Sequence, residues 1–457
     1  MGLLESIYDK SPIFFQNIMT TVSGYQRNSK RYGKAYQEYR KFLREFDEWP
    51  LNEKLEYQRR EMISLIRYAY NSSPFYRKLY KDIDINEIQK IEDLKILPIV
   101  DKEILRAEIN EVITIKRKNG VEGHTGGTTG KSLVVLNRVE DSMKRMAMLD
   151  HFKSRVKFEH RKMKRATFNG KHIVPPNQIS KVYWRYNHAC KQMMYSSFHL
   201  TEENMEYYVN SLNKFKPQAI DGFFTSMCDL ANYIERHNIK LEFNPIAIFP
   251  TSETLTHTGR ELLERVFNCK VYDQYASSEG APFITECEKQ ELHMELSSGV
   301  FEHFEENSDE VLVTSFTTYG TPLIRYKIGD AISFEGSSRT CQCGMESPIV
   351  TEIQGRRLDF LYSAEGAKIN GGNVANLFKN MPNALVRAQT IQDKIDEIKI
   401  LLEVDKRLYK KEYDELLKKE FLHKFGKNTK VVIEHVNEIP REKSGKFRMI
   451  KNNITSL

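Results

Sequence analysis

Apolar residues recur at helical spacing in the early part of the chain, between Glu56 and Tyr70, and predict a helix there. The helix is expected to end before Pro74, because proline disfavours helical backbone at the preceding residue. From about Gly123 to Asp330, short apolar runs alternate with longer amphipathic stretches. This alternation predicts an α/β body.

The last hundred residues have a different pattern. Residues 397–404 and 430–436 predict strands, and residues 406–425 predict a charged amphipathic helix between them. A strand–helix–strand unit of this size predicts a small α+β domain. We therefore expect a large N-terminal domain over residues 1–355, with a helical extension over residues 1–60, and a small C-terminal domain over residues 356–457.

An uncharged stretch of 16 residues lies near the start of the chain, from Ser11 to Gln26. It is too short and too polar to span a bilayer. Phe14, Ile18 and Val22 are four residues apart, which predicts an amphipathic helix packed on the body of the protein. Contact with a membrane surface is the alternative. Without a transmembrane segment, we expect a cytoplasmic protein.

Composition excludes several classes. The 69 basic and 62 acidic residues leave a net charge of +7 over 457 residues, a mild excess that suits an anionic substrate and does not indicate nucleic acid binding. Six cysteines are too few for a disulfide scaffold. The sequence leaves the oligomeric state open, and a homodimer would be ordinary for an enzyme of this size.

Residues 124–132 form a loop rich in glycine and hydroxyl groups. Glycines let the backbone approach a ligand closely, and hydroxyl and backbone N–H groups can surround phosphate oxygens. The loop is not a P-loop, because that pattern requires glycine where Thr125 stands. A flexible turn is the alternative reading. The candidate phosphate ligands are Thr125, Gly126, Gly127, Thr128, Thr129, Gly130 and Lys131.

This loop resembles the phosphate-binding loop of the adenylate-forming superfamily, which activates carboxylates with ATP. Further stretches resemble the motifs of that superfamily in the same order, namely Tyr275–Glu279, Arg325–Asp330, Gly355–Asp359 and Pro440–Arg448. Residues 65–80 and 94–102 are typical of the phenylacetate–coenzyme A ligase-like branch, which includes relatives named for capsular polysaccharide biosynthesis. The resemblance covers residues 60–450.

The resemblance implies a large N-terminal α/β adenylation domain and a small mobile C-terminal α+β domain that rotates about Gly355–Asp359. It also implies that ATP, Mg²⁺ and a carboxylic acid give an acyl-adenylate and pyrophosphate. Coenzyme A is the leading acceptor of the acyl group. A sugar amine or hydroxyl is the second, and a non-catalytic nucleotide-binding relative is the remaining alternative.

The resemblance also implies roles for single residues. Ser278 would contact the α-phosphate, and Glu279 would hold Mg²⁺, a cation that prefers oxygen ligands. Lys446 would bridge the carboxylate and phosphate oxygens. The remaining nucleotide contacts would be Tyr275 at the adenine, Ser252 and Glu253 on its other side, and Asp330 at the ribose with Arg356 nearby.

Two positions depart from the superfamily pattern. Residues 360–373, which follow the hinge, lack the run of small and apolar residues that commonly accompanies thioester formation in coenzyme A ligases. Thr254 stands where proline is common. These departures leave the acyl acceptor less defined than the adenylation step.

Three cysteines and a histidine form a second candidate site, made of Cys287, His293, Cys341 and Cys343. Three thiolates and an imidazole suit tetrahedral, structural Zn²⁺. Relatives in the phenylacetate branch often carry a similar site near these positions. The alternative is that these cysteines are ordinary loop thiols.

Overall fold

The structure is a computed structural model. It describes residues 3–124, 133–171, 173–175, 178–306, 308–334, 341–356, 360–364, 368–370, 374, 377–378, 381, 384–426, 428–442 and 447–454.

The helices in these ranges are, in chain order, α1 (Leu3–Lys10), α2 (Ile13–Arg31), α3 (Lys34–Asp47), α4 (Leu51–Ser72), α5 (Pro74–Leu79), α6 (Lys102–Ala107), α7 (Ile109–Val112), α8 (Val139–Arg155), α9 (Met205–Phe215), α10 (Phe224–Arg236), α11 (His257–Phe267) and α12 (Glu412–Phe425). Among the described residues, no helix is both long enough and apolar enough to cross a bilayer.

The strands are β1 (Val100–Asp101), β2 (Gly120–His124), β3 (Val134–Arg138), β4 (Arg165–Asn169), β5 (Trp184–Asn187), β6 (Gln192–Ser196), β7 (Ala219–Phe223), β8 (Ala247–Thr251), β9 (Lys270–Val271), β10 (Gln274–Tyr275), β11 (Ile284–Glu286), β12 (Leu292–Met294), β13 (Gly299–His303), β14 (Glu310–Ser315), β15 (Tyr326–Phe334), β16 (Ile349–Arg356), β17 (Phe360–Tyr362), β18 (Lys368–Asn370), β19 (Leu385–Lys394), β20 (Glu397–Val404), β21 (Lys430–Val436) and β22 (Ile450–Asn452).

The chain divides into two compact units. Unit 1 comprises residues 1–22, 161–271 and 354–457, and unit 2 comprises residues 23–160 and 272–353.

Unit 1 contains a sheet in the order β5-β6-β4-β7-β8-β9, in which every pairing except β5–β6 is parallel. All five residues of β7 are buried, as expected for a central parallel strand covered on both faces. The helices α9, α10 and α11 contribute Leu212, Leu230 and Leu263 to the same core.

The first part of α2 belongs to unit 1 and packs through its polar side, not through the apolar residues that the sequence predicted to pack on the protein body. Gln16 is buried and accepts Nε of Arg185 at 2.5 Å. Phe14, Ile18 and Val22 are 69%, 43% and 50% exposed. The period of the sequence predicted an amphipathic helix correctly, but it did not show which side faces the solvent.

Unit 1 also contains the C-terminal sheet, in the order β21-β20-β19-β22. The strand β20 pairs in parallel with β21, and α12 connects them. Ile398, Ile400 and Leu402 of β20 meet Leu417 and Phe421 of α12 in a separate core. The two strands have the predicted bounds, whereas the boundary at residue 355 stays a prediction.

The helix predicted to begin at Lys406 begins instead at Glu412. Asp405 explains the difference: its carboxylate accepts the backbone N–H of Arg407, and its carbonyl accepts that of Tyr409. These bonds hold a turn where the charge pattern predicted a helix.

Unit 2 is built around a sheet in the order β10-β11-β12-β16-β15-β14-β13, with β1 added in parallel beside β15. The helix predicted over residues 56–70 is the central part of α4, whose Met62, Leu65 and Ile66 are buried in the core of this unit. A separate antiparallel pair, β2 and β3, carries the predicted phosphate loop.

Candidate functional site

The predicted phosphate loop connects β2 to β3, which pair antiparallel with His124 opposite Val134. Residues Thr125 to Lys131 themselves lie outside the described residues. The entry to the loop is nevertheless placed: a Cβ atom built on Gly123 would lie 3.3 Å from the carbonyl oxygen of Ser278. The strand that leads into the first motif therefore runs beside the second motif, whereas the role of the loop stays a prediction.

The second motif, Tyr275–Glu279, leads into a tight turn. Ser277 accepts the hydrogen bonds that hold this turn. Its hydroxyl accepts the backbone N–H groups of Gly280 and Ala281, at 3.2 and 3.0 Å. Gly280 has φ +110°, and a Cβ there would lie 2.4 Å from Cγ2 of Thr318, so the turn requires glycine. Ser278 is exposed, which leaves its hydroxyl accessible to a ligand.

The guanidinium group of Arg145, in α8, stabilises this turn by hydrogen bonds to its carbonyl oxygens. Its guanidinium donates to the carbonyl oxygens of Ser277, Gly280 and Ala281, at 3.3, 3.0 and 2.8 Å. Desolvation by burial lowers the pKa of Arg145 to about 10, so the group still carries its charge at neutral pH. No sequence pattern indicated Arg145, because more than a hundred residues separate it from the motif that it supports.

Glu279, the predicted Mg²⁺ ligand, is buried, with 5% of its surface exposed. Nζ of Lys102 lies 3.6 Å from its carboxylate. Lys102 directly follows β1, which pairs with the start of β15, so the same sheet positions the lysine and the Tyr326–Asp330 motif. Lys102 ends the segment 94–102, which is typical of the phenylacetate branch, but the sequence pattern indicated no role for it.

Tyr275, at the end of β10, and Asp330, in β15, contact each other within unit 2. The hydroxyl of Tyr275 donates to Oδ2 of Asp330 at 2.6 Å. This short bond to a carboxylate fixes the position of Asp330. The expected roles of the two residues, at adenine and at ribose, stay predictions, but the structure shows that they form one hydrogen-bonded pair.

In unit 1, Ser252 and Glu253 follow β8 at the carboxyl end of the parallel sheet. Ligands of open α/β sheets bind at this end. Ser252 has φ +69°, a left-handed conformation that is uncommon outside glycine. The carboxylate of Glu253 accepts the backbone N–H of Thr225 at 2.8 Å and also its hydroxyl, so it caps α10.

The predicted hinge glycine contacts this same loop. Gly355 has φ +81°, and a Cβ built on it would lie 2.6 Å from Oγ1 of Thr254. Thr254, the residue that departs from the superfamily pattern, is thus the neighbour of the hinge. Arg356 ends β16, and its side chain lies outside the described part of the structure, as does Lys446.

A cluster of buried charges in unit 1 joins the C-terminal residues to α10. Asp229 of α10 accepts Nε of Arg387 at 2.9 Å and Nη2 of Arg441 at 2.7 Å. Burial would lower the pKa of Arg387, but the charges of Asp229 and Glu403 raise it. Arg441 lies five residues before Lys446, so this cluster anchors the segment that leads to the predicted catalytic lysine.

The predicted metal ligands lie together in unit 2. The ligand atoms of Cys287, His293, Cys341 and Cys343 all lie within 4.8 Å of one another. Cys287 and His293 flank the turn of the β11–β12 hairpin, and the other two precede β16, which pairs with β12.

The distances within this cluster match a tetrahedral zinc site. Sγ of Cys287 lies 3.7 Å from Sγ of Cys341, and Sγ of Cys343 lies 3.6 Å from Nε2 of His293. Zinc bound at about 2.3 Å to sulfur and about 2.0–2.1 Å to nitrogen requires separations of about 3.8 and 3.5–3.6 Å. Each sulfur also accepts a backbone N–H, from Lys289, Cys343 and Met345 respectively. The residues therefore fit the metal.

Comparisons with known proteins give consistent results. The family model described as the CapK C-terminal domain matches residues 361–453. Protein CapK of Staphylococcus aureus is 38% identical over 455 residues, which cover 99% of this chain and 100% of that protein.

Solved structures of similar fold include 2-hydroxyisobutyryl-CoA ligase in the postadenylation state in complex with 2-HIB-AMP, with a TM-score of 0.71 and 14% identity. That match covers 89% of this chain and 91% of the other. An open conformation of the same ligase, in complex with 2-HIB-AMP and CoA, gives a TM-score of 0.56 at 15% identity, with coverage of 88% and 92%. The mixed α/β fold expected of an adenylate-forming ligase is confirmed.

Proposed function

The chain belongs to the CapK family, and we propose that it is an ATP-dependent, AMP-forming carboxylate ligase. In the proposed reaction, a carboxylate oxygen attacks the α-phosphorus of ATP, the bond to the bridging oxygen breaks, and pyrophosphate leaves. An acceptor then attacks the acyl carbonyl carbon, and AMP leaves with the electron pair of the C–O bond.

The observation that supports this proposal best is the convergence of three sequence motifs within unit 2. The entry to the phosphate loop at Gly123 lies against Ser278, the buried Glu279 follows directly, and Tyr275 is bonded to Asp330. Phosphoryl transfer needs oriented donors and cations around the phosphates more than it needs a reactive side chain. These motifs supply such groups in the expected order.

In this proposal Glu279 would hold Mg²⁺, which would offset negative charge on the phosphates of ATP, and Lys102 neutralises the buried carboxylate when no cation is bound. Lys446 reaches the reacting oxygens when the C-terminal domain closes, and withdraws for acyl transfer when residues 356–457 rotate about the Gly355–Asp359 hinge. The Cys₃His cluster would hold zinc as a structural ion, because four protein ligands leave no open position for a substrate.

Coenzyme A is the first acceptor that we propose. A sugar amine or hydroxyl is the second, and it stays a candidate because residues 360–373 lack the small and apolar run common in coenzyme A ligases. The two acceptors give products of different chemistry, a thioester and an amide or ester, so one product analysis distinguishes them.

The test follows a labelled oxygen atom from the carboxylate of the substrate into the products. A panel of carboxylic acids labelled with ¹⁸O in the carboxyl group is incubated with the protein, ATP and Mg²⁺, with and without coenzyme A. We expect one labelled oxygen to appear in AMP, because the attacking oxygen stays on the α-phosphate when the acyl group leaves.

Two variants with matched controls test whether Glu279 and Lys446 contribute to the adenylation step. Glu279→Gln and Lys446→Ala are expected to lower label transfer at least about 100-fold, the usual scale for losing an electrostatic stabiliser. Glu305→Gln and Lys419→Ala, exposed changes of the same kind, should leave it unchanged. ADP in place of AMP, or AMP without label, would contradict the proposal.

A further inference from the structure

A positive charge lies beside the turn of the second motif without a carboxylate partner. Besides the carbonyl oxygens of the turn, the guanidinium group of Arg145 contacts the hydroxyl of Thr317 at 3.0 Å, and its Cζ lies 4.4 Å from the centre of the Phe283 ring. In the described part of the chain, no carboxylate oxygen lies within 4.0 Å of it. Asp141, one turn earlier on α8, pairs instead with Arg138 at 2.8 Å. A partly buried charge is costly without a counter-charge, which points to an anion that binds nearby.

The carbonyl group of Ser277 points into the turn and toward this charge. Its oxygen accepts Nη2 of Arg145 and the backbone N–H of Gly280, both at 3.3 Å. The described peptide bonds are trans, and in a trans peptide the N–H points away from the C=O of the same peptide unit. The N–H of Ser278 therefore points out of the turn, on the side opposite to the guanidinium group.

Two successive backbone N–H groups of this turn lack an acceptor. The N–H groups of Gly280 and Ala281 donate to the hydroxyl of Ser277, but those of Ser278 and Glu279 donate to none of the residues that the structure describes. Glu279 is nevertheless a buried residue, and backbone donors at buried positions are almost always hydrogen-bonded. Successive backbone N–H groups without an acceptor are typical of anion-binding sites.

Arg145 acts on these donors through the backbone. A charge-assisted hydrogen bond to the carbonyl of Ser277 polarises the peptide unit, so the N–H of Ser278 becomes a stronger donor. The further bonds of Arg145 to the carbonyl oxygens of Gly280 and Ala281 fix the turn. The donors are therefore aimed before a ligand binds, and they need no reorganisation when charge develops on it.

We propose that the backbone N–H groups of Ser278 and Glu279 bind the oxygens of a phosphoryl group, and that Arg145 is a positioning residue that aims and polarises them. This inference rests on the proposed function, in which the group is the α-phosphate of ATP. It adds backbone donors to the contact expected from the hydroxyl of Ser278. Their effect is largest in the transition state, when charge is spread over the phosphoryl oxygens.

The first test measures acid-dependent exchange of labelled pyrophosphate into ATP by variants of the full-length protein. Arg145→Met should lower kcat at least about tenfold, a part of the loss of about 100-fold or more that follows outright removal of such a donor. The KM for ATP should rise less than kcat falls, because the donors act mainly in the transition state. Arg145→Lys restores a positive charge and should be at least about threefold faster than Arg145→Met.

The second test removes one N–H and no side chain. Incorporation of the α-hydroxy analogue of serine at position 278 replaces the amide between Ser277 and Ser278 by an ester, and kcat should fall about 100-fold. If Arg145 acts through this N–H, Arg145→Met in the ester protein should cause a smaller loss than it causes in the parent protein.

Two controls separate this role from a general effect on the turn. An ester between Gly280 and Ala281 also weakens a carbonyl that accepts Arg145, but the N–H that it removes donates to Ser277, so its loss of kcat should be much smaller. Arg60→Met removes an exposed arginine of α4 and should leave kcat and KM unchanged. Circular dichroism and melting temperature identify any variant that fails to fold, and the ester proteins decide the question if Arg145→Met is one of them.

The possible failures are distinguishable. A parent protein that catalyses no exchange with any acid would contradict the proposed function, and this inference with it. Exchange in the parent protein that the ester at Ser278 leaves unchanged would overturn this inference alone. Equal losses from the two esters, or equal losses in Arg145→Met and Arg145→Lys, would also overturn it, because they would limit Arg145 to holding the turn together.

Discussion

Asp229 offers the sharpest test of how the C-terminal residues are held on α10. Its carboxylate bonds both Arg387 and Arg441, and the side chains of the three residues are 8%, 4% and 7% exposed. The change Asp229→Asn keeps the size of the side chain and one acceptor oxygen, so it removes the charge with little change in packing.

The free-energy cost expected for Asp229→Asn follows from the burial of the ion pairs that it breaks. Removing one partner of a buried ion pair costs about 3–5 kcal/mol, because the remaining charge is left without compensation. Glu403 lies 3.5 Å from Arg387 and compensates part of the loss, so we expect the lower end, about 3 kcal/mol. That value corresponds to roughly a 100-fold change in a local opening equilibrium.

Hydrogen exchange measures this opening directly. In Asp229→Asn, backbone amides of residues 385–394 and 430–436 should lose protection about 100-fold where they exchange by local opening. Asp396→Asn, a change at an exposed position in the turn between β19 and β20, is the matched control and should have little effect. The adenylation half-reaction should also slow, because Arg441 begins the segment that carries Lys446.

A double-mutant cycle with Arg441→Met refines the result. If Asp229 acts through Arg441, the effects of the two changes should be less than additive, with a coupling of at least about 1 kcal/mol. Unchanged protection in Asp229→Asn, or strictly additive effects, would refute the view that this charge cluster holds the C-terminal residues.

Three further predictions concern other clusters. Replacing Cys343 by serine should lower bound zinc from about one ion per chain and lower the melting temperature, as measured by metal analysis and calorimetry. Cys269→Ser, a change at a half-buried cysteine outside the cluster, should leave bound zinc unchanged. Lys102→Met should lower the Mg²⁺ concentration that half-saturates pyrophosphate release, because the lysine no longer competes with the cation for Glu279; an unchanged or higher requirement would contradict this role. In unit 2, Asp47 accepts hydrogen bonds from His151 at 2.8 Å and from Nε of Arg155 at 3.0 Å. Burial raises the pKa of Asp47, but these bonds and the charge of Arg155 outweigh burial and hold the pKa well below its usual range. The contribution of Asp47 to stability is therefore complete above about pH 4 and is lost as pH falls through the lowered pKa. Denaturant unfolding should therefore show Asp47→Asn less stable than the parent at pH 7, with the difference shrinking only below about pH 4.

The sequence predicted the elements whose signals are local. The strands at 397–404 and 430–436 have the predicted bounds, because their apolar runs are bounded by turn residues. The cysteine cluster was found because thiolates and imidazole have few uses together in a long chain without a disulfide scaffold.

Features that depend on distant partners were missed. Neither Lys102 nor Arg145 lies near the Ser277–Glu279 turn in sequence, and the sheet and α8 bring them there. Asp229 gave no signal either, because an acidic residue on an amphipathic helix usually faces solvent. Such residues become visible only when the fold places their partners beside them.

The central claim is that this protein joins a carboxylate to the α-phosphate of ATP. Acid-dependent exchange of labelled pyrophosphate into ATP tests it most directly, because exchange requires reversible formation of an acyl-adenylate and needs no acyl acceptor. We predict exchange that depends on both the acid and Mg²⁺, and that is lost in Glu279→Gln. Tight ATP binding with no exchange across a broad panel of acids would contradict the account and favour a nucleotide-binding protein without ligase activity.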